Sequence, residues 1–105
     1  MRIAVVAALL SLSTAAQAAN WPKTITGEYC WQGAGCSPIS FTLEKNGEFN
    51  TSDGYHGLWT YNGQTSQLQM EFDTGTVYNG TRNGQCFQGN KQSYAGLAGT
   101  WWACI

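Results

Sequence analysis

One histidine and a nearby carboxylate are the first residues whose types could do chemistry. His56, the only histidine in the chain, follows Asp53 by three positions, and a carboxylate that orients an imidazole can make it a general base. Gly54 and Gly57 surround His56, however, and no serine or cysteine nucleophile accompanies it in the sequence. This pattern favours a residue of a glycine-rich turn over a catalytic one.

The tripeptide Asp73-Thr74-Gly75 is the second candidate for chemistry. The same tripeptide occurs in aspartic proteases, in which two aspartates share a proton, and a homodimer of so short a chain could pair two copies. Asp and Gly are also ordinary turn residues, and the alternating segment 67–73 needs a turn at this place. We interpret the tripeptide as a turn, and we place an enzyme that uses Asp73 or His56 last among three hypotheses.

Aromatic side chains are the most informative residues of the sequence. The chain has five Trp, five Tyr and four Phe, and a core of this size does not hide all of them. Rings left exposed among Asn and Gln side chains suit a small molecule, a sugar or a partner loop. Filling of a small barrel is the competing explanation. The predicted ligand-binding residues are Trp31, Trp59, Tyr61 and Trp102.

The first eighteen residues predict export. Met1 and Arg2 precede an apolar run at 3–12, and Ala16-Gln17-Ala18 is a small-x-small cleavage signature. The run is too short to span a membrane and no second one follows, so we expect no membrane span. The sequence predicts a signal peptide at 1–18, cleavage near Ala18, and a periplasmic or extracellular protein.

Removal of residues 1–18 from the 105-residue chain leaves 87 residues, enough for one domain at 19–105. Four basic and six acidic residues remain, a net charge of −2. Nucleic acids and anionic membranes bind basic surfaces, so we expect neither as a partner. A small molecule or a secreted protein is the expected partner, and no motif indicates a cofactor.

The four cysteines all lie after the predicted signal peptide and predict two disulfides. A zinc site is less favoured because the spacing contains no Cys-x2-Cys pair, and we predict no metal. Strand phase places Cys30, Cys86 and Cys104 outside the core. Two pairings stay open: the favoured one joins Cys30 to Cys36 and Cys86 to Cys104, and the second joins Cys30 to Cys104 and Cys36 to Cys86.

Strand and turn signals dominate the rest of the chain. Thirteen glycines disfavour helices, and Asn46-Gly47, Asn62-Gly63 and Asn83-Gly84 are hairpin-turn signals. Eight strands are predicted, at 25–31, 38–45, 48–52, 56–61, 67–73, 76–81, 84–88 and 99–105. The segment 89–98 is either a long break or the place of a ninth strand around Tyr94.

Eight short antiparallel strands in chain order predict an all-β, up-and-down meander that closes into a small disulfide-stapled barrel. A β-sandwich is the alternative. Alternation places Leu68, Met70 and Phe72 on the core face. The same phase predicts the following inward residues on the other strands: Ile25, Tyr29, Trp31, Ile39, Phe41, Leu43, Trp101, Ala103 and Ile105. Whether the interior is filled or hollow stays open.

Three short segments carry a resemblance to a known kind of protein. Thr26-Gly27-Glu28-Tyr29, Gly57-Leu58-Trp59-Thr60-Tyr61 and Gly99-Thr100-Trp101-Trp102 resemble the Gly-x-Trp punctuation of small avidin-like and lipocalin-like secreted β-barrels. The resemblance implies a closed meander whose open end binds a hydrophobic or cyclic ligand. The polar residues that hold biotin have no match in this chain, so biotin binding is not implied.

Two functions therefore lead. The first is an exported, non-enzymatic binding module that uses aromatic side chains to hold a small ligand, a sugar or a partner. The alternative is an inhibitor of a secreted hydrolase such as a lysozyme or a protease, docking through loops at 32–38 or 89–98. Small bacterial inhibitors of that kind share the size, the export signal and the disulfides.

Overall fold

The computed structural model describes residues 22–105, and this part of the chain forms eight β-strands and no helix. The predicted signal peptide at 1–18 and its cleavage site lie outside the described residues. The strands are β1 Lys23–Trp31, β2 Gly35–Leu43, β3 Glu48–Thr51, β4 His56–Asn62, β5 Gln67–Phe72, β6 Val77–Asn83, β7 Cys86–Gln92 and β8 Ala98–Cys104. Within the same range there is no helix long and apolar enough to cross a membrane.

Each strand pairs antiparallel with the next one along the chain, and β8 pairs with β1, so the sheet closes into a barrel. Closure leaves no strand with an unpaired edge, which removes the usual route to edge-to-edge aggregation. The predicted eight-stranded meander and its closure are confirmed. The alternative of a β-sandwich is wrong.

The largest boundary difference lies in the segment 89–98. Strand β7 continues to Gln92, because Asn90 pairs with both Asn79 on β6 and Thr100 on β8. Pairing on both sides makes a strand of residues whose own β propensity is low. A tight turn follows, in which the amide of Ser93 donates to the carbonyl of Leu97 at 2.8 Å, and the segment 93–97 holds no further strand.

The barrel interior is filled over most of its length. Among residues 22–105, twelve apolar residues are buried: Ile25, Ile39, Phe41, Leu43, Phe49, Leu68, Met70, Phe72, Tyr78, Phe87, Trp101 and Ala103. Nine of them were predicted to face inward, and the other three are Phe49, Tyr78 and Phe87. The buried rings meet edge to face, as Phe41 does with Trp101 at 5.9 Å between centroids. The prediction for Ile105 is wrong. It is 41% exposed, because the β1–β8 register ends at Cys104 and leaves no strand to cover the next residue.

Both disulfides join residues that lie directly opposite each other on neighbouring strands. Cys30 pairs with Cys36 across β1 and β2, and Cys86 pairs with Cys104 across β7 and β8. The favoured connectivity is confirmed, and the zinc alternative is wrong because all four sulfurs are committed. The two bridges lie on either side of the β1–β8 pairing that closes the barrel.

Four connections lie at the same end of the barrel, because successive turns of a meander alternate between its ends. They are residues 32–34, 52–55, 73–76 and 93–97, and we call this end the mouth. The opposite end carries the turns at 44–47, 63–66 and 84–85. The filled core stops short of the mouth, where the interior is open.

Candidate functional site

A cavity of about 240 Å³ opens at the mouth of the barrel. Its walls are largely aromatic and come from three strands and one mouth turn: Tyr29, Trp31, Tyr55, Phe72 and Tyr78. Polar groups reach it from Lys91, Asp53, Thr74 and Thr76. A concave, largely aromatic surface with a few convergent polar groups is the usual character of a small-molecule site.

Lys91 is the main polar group on the inner side of this cavity. It is 3% exposed and is the one buried charged residue in the part of the chain that the structure describes. Its ammonium nitrogen donates a hydrogen bond of 2.8 Å to the Tyr78 hydroxyl. The same nitrogen lies 3.8 Å from the ring centroid of Tyr29 and 3.7 Å from that of Trp31. The ammonium is therefore held by cation–π contacts and one neutral hydroxyl.

The strand register explains why these side chains meet. Tyr78 pairs with Lys91, Lys91 pairs with Gly99, and Gly99 pairs with Trp31, so the four lie in one inward-facing row across β6, β7, β8 and β1. Gly99 has no side chain and therefore leaves room inside this row. A Cβ at position 99 would lie only 3.2 Å from the Lys91 Cγ. The lysine side chain crosses β8 through this space to reach Trp31.

Burial shifts the acid–base behaviour of both polar groups in the row. Desolvation lowers the pKa of Lys91 to about 8, and the negative charge of Asp53 opposes part of this change. Burial also raises the pKa of Tyr78 above its ordinary value, with smaller contributions from Tyr29 and Asp53. Near neutral pH, Lys91 is therefore a protonated donor and Tyr78 is a neutral hydroxyl.

Asp53 stands at the rim of the cavity in the mouth turn 52–55. The Thr51 hydroxyl donates to its Oδ1 atom, and the amide of Tyr55 donates to the Thr51 hydroxyl oxygen at 2.9 Å. Gly54 turns the chain with a φ of 95°, a conformation that residues with a side chain rarely adopt. This local network holds Asp53 and Tyr55 over the opening.

The two charges that line the cavity do not form an ion pair with each other. His56 Nε2 and Asp73 Oδ2, outside the cavity, lie 3.1 Å apart. The negative charge of Asp53 nevertheless acts on Lys91 and partly opposes the lowering of its pKa. A cation and an anion thus face one small cavity with open space between them.

The structure does not bring the four predicted ligand-binding residues into one site. Trp31 lines the mouth cavity. Trp59 lies toward the opposite end, where its indole N–H donates to the carbonyl of Glu44 at 2.8 Å. Tyr61 packs against the core and also borders an outer groove of about 660 Å³. Trp102 is 45% exposed and alternates with the buried Trp101, so it faces outward.

The outer groove is larger than the mouth cavity but differs from it in character. Four strands, β4 to β7, line it with exposed, uncharged side chains: Thr60, Asn62, Gln67, Gln69, Asn79, Thr81, Gln88 and Asn90. None of these side chains is buried, and no charged residue lines the groove. Of the two, the mouth cavity combines a buried charge with enclosing rings, so we take it as the candidate site.

Sequence reasoning missed most of the mouth site, namely Tyr29, Asp53, Tyr55, Tyr78 and Lys91 as ligand-facing residues. One signal was available for Lys91. Lys91 has the same strand phase as Phe87, which is fully buried. A predicted strand that continued past residue 88 would therefore have predicted an inward-facing Lys91. A charged residue on the inner phase of a barrel strand is expensive to bury and hence informative.

The residues considered for catalysis lie on the surface near the mouth. His56 and Asp73 are both exposed, and Asp73, not Asp53, is the carboxylate that contacts the imidazole. The tripeptide at 73–75 is a turn, in which the amide of Gly75 donates to the carbonyl of Phe72 at 2.9 Å. Within residues 22–105, no group of three or more His, Cys, Asp or Glu side chains is placed to hold a metal ion.

Comparison of the chain with protein-family models, with curated proteins and with solved structures found no match. The resemblance to avidin-like and lipocalin-like barrels therefore stays a prediction. The functional argument rests on the geometry of the mouth cavity itself.

Proposed function

We propose that this protein binds a small molecule in the mouth cavity, with the aromatic rings against the apolar part of the ligand and Lys91 facing a hydrogen-bond acceptor on it. The observation that carries the proposal is the buried ammonium of Lys91, which is 3% exposed and has a neutral hydroxyl as its hydrogen-bond partner. A buried charge without an opposite charge costs several kcal/mol. A ligand that accepts from this ammonium would offset the cost.

The remaining hydrogen-bonding capacity of Lys91 supports this role. An ammonium group has three N–H donors, and the Tyr78 hydroxyl accepts one of them. The rings of Tyr29 and Trp31 hold the nitrogen in place. A donor that is already oriented loses little conformational entropy when a ligand arrives, and this favours binding.

The cavity is the size of a small metabolite. Its volume of about 240 Å³ lies below the range of roughly 300–1,000 Å³ that is typical of pockets for drug-sized ligands. One aromatic or branched aliphatic group with one or two polar substituents would fill it.

We propose a binding module and not an enzyme. Lys91 is mostly protonated near neutral pH, since its pKa is about 8, and an ammonium has no lone pair with which to attack. The Tyr78 hydroxyl also engages this nitrogen as an acceptor. The arrangement therefore favours recognition over covalent chemistry.

An exported location is part of the proposal. The two disulfides suit a periplasmic or extracellular protein, because such bonds persist in oxidising compartments. The predicted signal peptide at 1–18 agrees with this location.

A plugged variant tests the proposal. A library of small fragments is screened against the wild type by ligand-observed NMR, and binders are retested on Thr74→Trp, which places an indole at the cavity rim. Thr81→Trp is the matched control, because Thr81 is exposed on the outer face. The proposal predicts binders that lose affinity in Thr74→Trp and keep it in Thr81→Trp. A set of binders indifferent to the rim substitution would contradict it.

A second candidate function is inhibition of a secreted hydrolase, and one loop favours it. In the mouth turn 93–97, Tyr94 is 87% exposed and Leu97 is 64% exposed. Two protruding apolar side chains on a tight turn suit insertion into the cleft of another protein. The test is inhibition of a lysozyme and of a panel of secreted proteases by the wild type and by the double variant Tyr94→Ser/Leu97→Ser. Inhibition that the double variant retains would exclude this loop.

A further inference from the structure

The mouth cavity presents one positive and one negative group that do not touch each other. Lys91 lies at the inner side and is buried, whereas Asp53 lies at the rim and is exposed. We infer that the ligand is a small zwitterion of the α-amino acid class, whose carboxylate lies against Lys91 and whose ammonium lies against Asp53. This inference rests on the proposed small-molecule function and names the class of ligand.

The inner side of the cavity offers two donors to a carboxylate. The Tyr78 hydroxyl accepts the hydrogen bond from Lys91, so its own proton remains to be donated. Among residues 22–105, the Tyr78 hydroxyl makes no hydrogen bond other than the one to Lys91. The Lys91 ammonium and the Tyr78 hydroxyl are 2.8 Å apart, which lets the two oxygens of one carboxylate meet one donor each. Charge-assisted hydrogen bonds of this kind are stronger than neutral ones.

The rim offers acceptors to an ammonium. The Oδ1 atom of Asp53 accepts from the Thr51 hydroxyl, and the other carboxylate oxygen has no partner among the described residues. The half-exposed ring of Tyr55 lies in the same mouth turn, and aromatic faces also attract ammonium groups. The rim is therefore complementary to a positive charge.

Opposite charges at the two ends select against partial analogues. An acid without an amine leaves the Asp53 charge unmatched and near the ligand carboxylate. An amine without a carboxylate is repelled by the Lys91 ammonium and leaves that buried charge uncompensated. Specificity of this kind combines attraction for the right ligand with repulsion of the wrong one. The apolar walls, which include Phe72 and Ile39, then contact the side chain of the amino acid.

Matched ligand sets test the inference by titration calorimetry near neutral pH. One set is L-phenylalanine, phenethylamine and 3-phenylpropanoate, and the other is L-leucine, isoamylamine and 4-methylpentanoate. At least one of the two amino acids is expected to bind about tenfold or more tightly than both of its analogues, which is the size of one charge-assisted hydrogen bond.

Three variants assign the two ends of the ligand. Lys91→Met is expected to remove the preference for the amino acid over its amine analogue. Asp53→Asn, which keeps an acceptor for Thr51, is expected to remove the preference over the acid analogue. Glu71→Gln is the control, since Glu71 is exposed on the outer side of β5, and it should keep both preferences. Near-UV circular dichroism checks the fold of each variant, and Lys91→Gln, which is also uncharged, replaces Lys91→Met if the latter does not fold.

The possible failures are distinguishable. If in both sets an acid or amine analogue binds as tightly as its amino acid, or if neither amino acid binds, the inference is overturned. Binding of neutral indole then tests the proposed function separately. Indole binding that Thr74→Trp abolishes would keep a small-molecule site of another ligand class, whereas failure of indole and of all six charged probes would remove the support for both.

Discussion

Gly99 gives Lys91 its path across the inside of the barrel. The two residues are paired on β8 and β7, and a Cβ at position 99 would lie 3.2 Å from the Lys91 Cγ and 2.2 Å from the carbonyl oxygen of Cys30. The missing side chain thus permits both the close approach of β1 to β8 and the contact of the lysine with Trp31. One backbone position connects the closure of the barrel to the candidate site.

Gly99→Ala should destabilise the protein strongly. The added methyl group meets the Cys30 backbone oxygen, which cannot move without opening the β1–β8 pairing. We expect a loss of roughly 2 kcal/mol or more in the free energy of unfolding, measured by urea denaturation. Thr100→Ala, on the exposed face of the same strand, is the control and should change stability by no more than about 0.5 kcal/mol. Equal stabilities of the two variants would show that β8 adjusts to the added methyl group.

Lys91 and Tyr78 should be strongly coupled in a double-mutant cycle. Tyr78→Phe leaves the buried ammonium without its acceptor, and we expect a cost of about 1–3 kcal/mol. Lys91→Met removes the donor to a buried hydroxyl and is expected to cost less. The double variant replaces both polar groups by apolar ones and should be at least as stable as the better single variant. Urea denaturation of the four proteins measures the coupling, and strictly additive losses would contradict it.

The stability of the wild type should rise with pH above about 8 when compared with that of Lys91→Met. Burial lowers the folded-state pKa of Lys91 to about 8 from an ordinary value of 10.5. Between these values the unfolded chain binds the proton more tightly than the folded chain, so deprotonation favours folding. The gain from pH 8 to pH 10 should be on the order of 2 kcal/mol.

The comparison with Lys91→Met isolates this lysine from its titratable neighbours. Tyr29, Tyr55, Tyr78 and Asp53 share the cavity and are present in both proteins. Tyr78 acts in the opposite direction above pH 10, because its raised folded-state pKa keeps it protonated while the unfolded tyrosine ionises. Urea denaturation at intervals across pH 7–10 measures the difference, and parallel pH profiles of the two proteins would mean that Lys91 has an ordinary pKa.

Binding of an amino acid in the mouth cavity should weaken at alkaline pH. The ligand carboxylate pairs with the protonated form of Lys91, whose pKa in the free protein is about 8. Affinity for the tighter of L-phenylalanine and L-leucine should therefore be level below pH 7 and about tenfold weaker at pH 9. Neutral indole is the control ligand and should bind equally at both values. Calorimetric titration measures both, and an amino acid affinity that stays constant to pH 9 would exclude Lys91 as the carboxylate partner.

The two disulfides should contribute unequally to stability. The Cys86–Cys104 bridge spans 18 positions and the Cys30–Cys36 bridge spans 6, and a longer loop loses more entropy when it is closed in the unfolded chain. Replacing both cysteines of a bridge by alanine should cost about 3 kcal/mol for the longer loop and about 2 kcal/mol for the shorter one. Thermal and urea denaturation of the two double variants compare them. A larger loss at Cys30–Cys36 would point to a contribution from the mouth turn that it holds.

The fold was predictable to a large extent because its signals are local. Alternation in the segment 67–72 places Leu68, Met70 and Phe72 inside, and all three are buried. The turn signals at Asn46-Gly47 and at 73–75 coincide with glycines of positive φ, 91° at Gly47 and 93° at Gly75. The same strand phase placed Cys30, Cys86 and Cys104 outside the core, where the bridges form.

The candidate site was predictable only in one residue, Trp31. Trp59 and Tyr61 are also aromatic, but they lie elsewhere. Trp59 lies farther along the barrel axis, and Tyr61 borders the outer groove. Lys91 was not predictable as a site residue, because the end of β7 depends on pairing with β6 and β8 and not on the β propensity of its own residues.

The sequence by itself determined the fold class, the alternation that separates core from surface, and the turns that separate the strands. Each of these depends on neighbours within a few residues along the chain, through the twofold period of a strand and the φ preferences of turn residues. The tertiary structure alone decided that residues from β6, β7, β8 and β1 meet in one row at the mouth. Barrel closure sets that register, and closure brings Trp31 beside Lys91, sixty positions away, with the missing side chain of Gly99 between them.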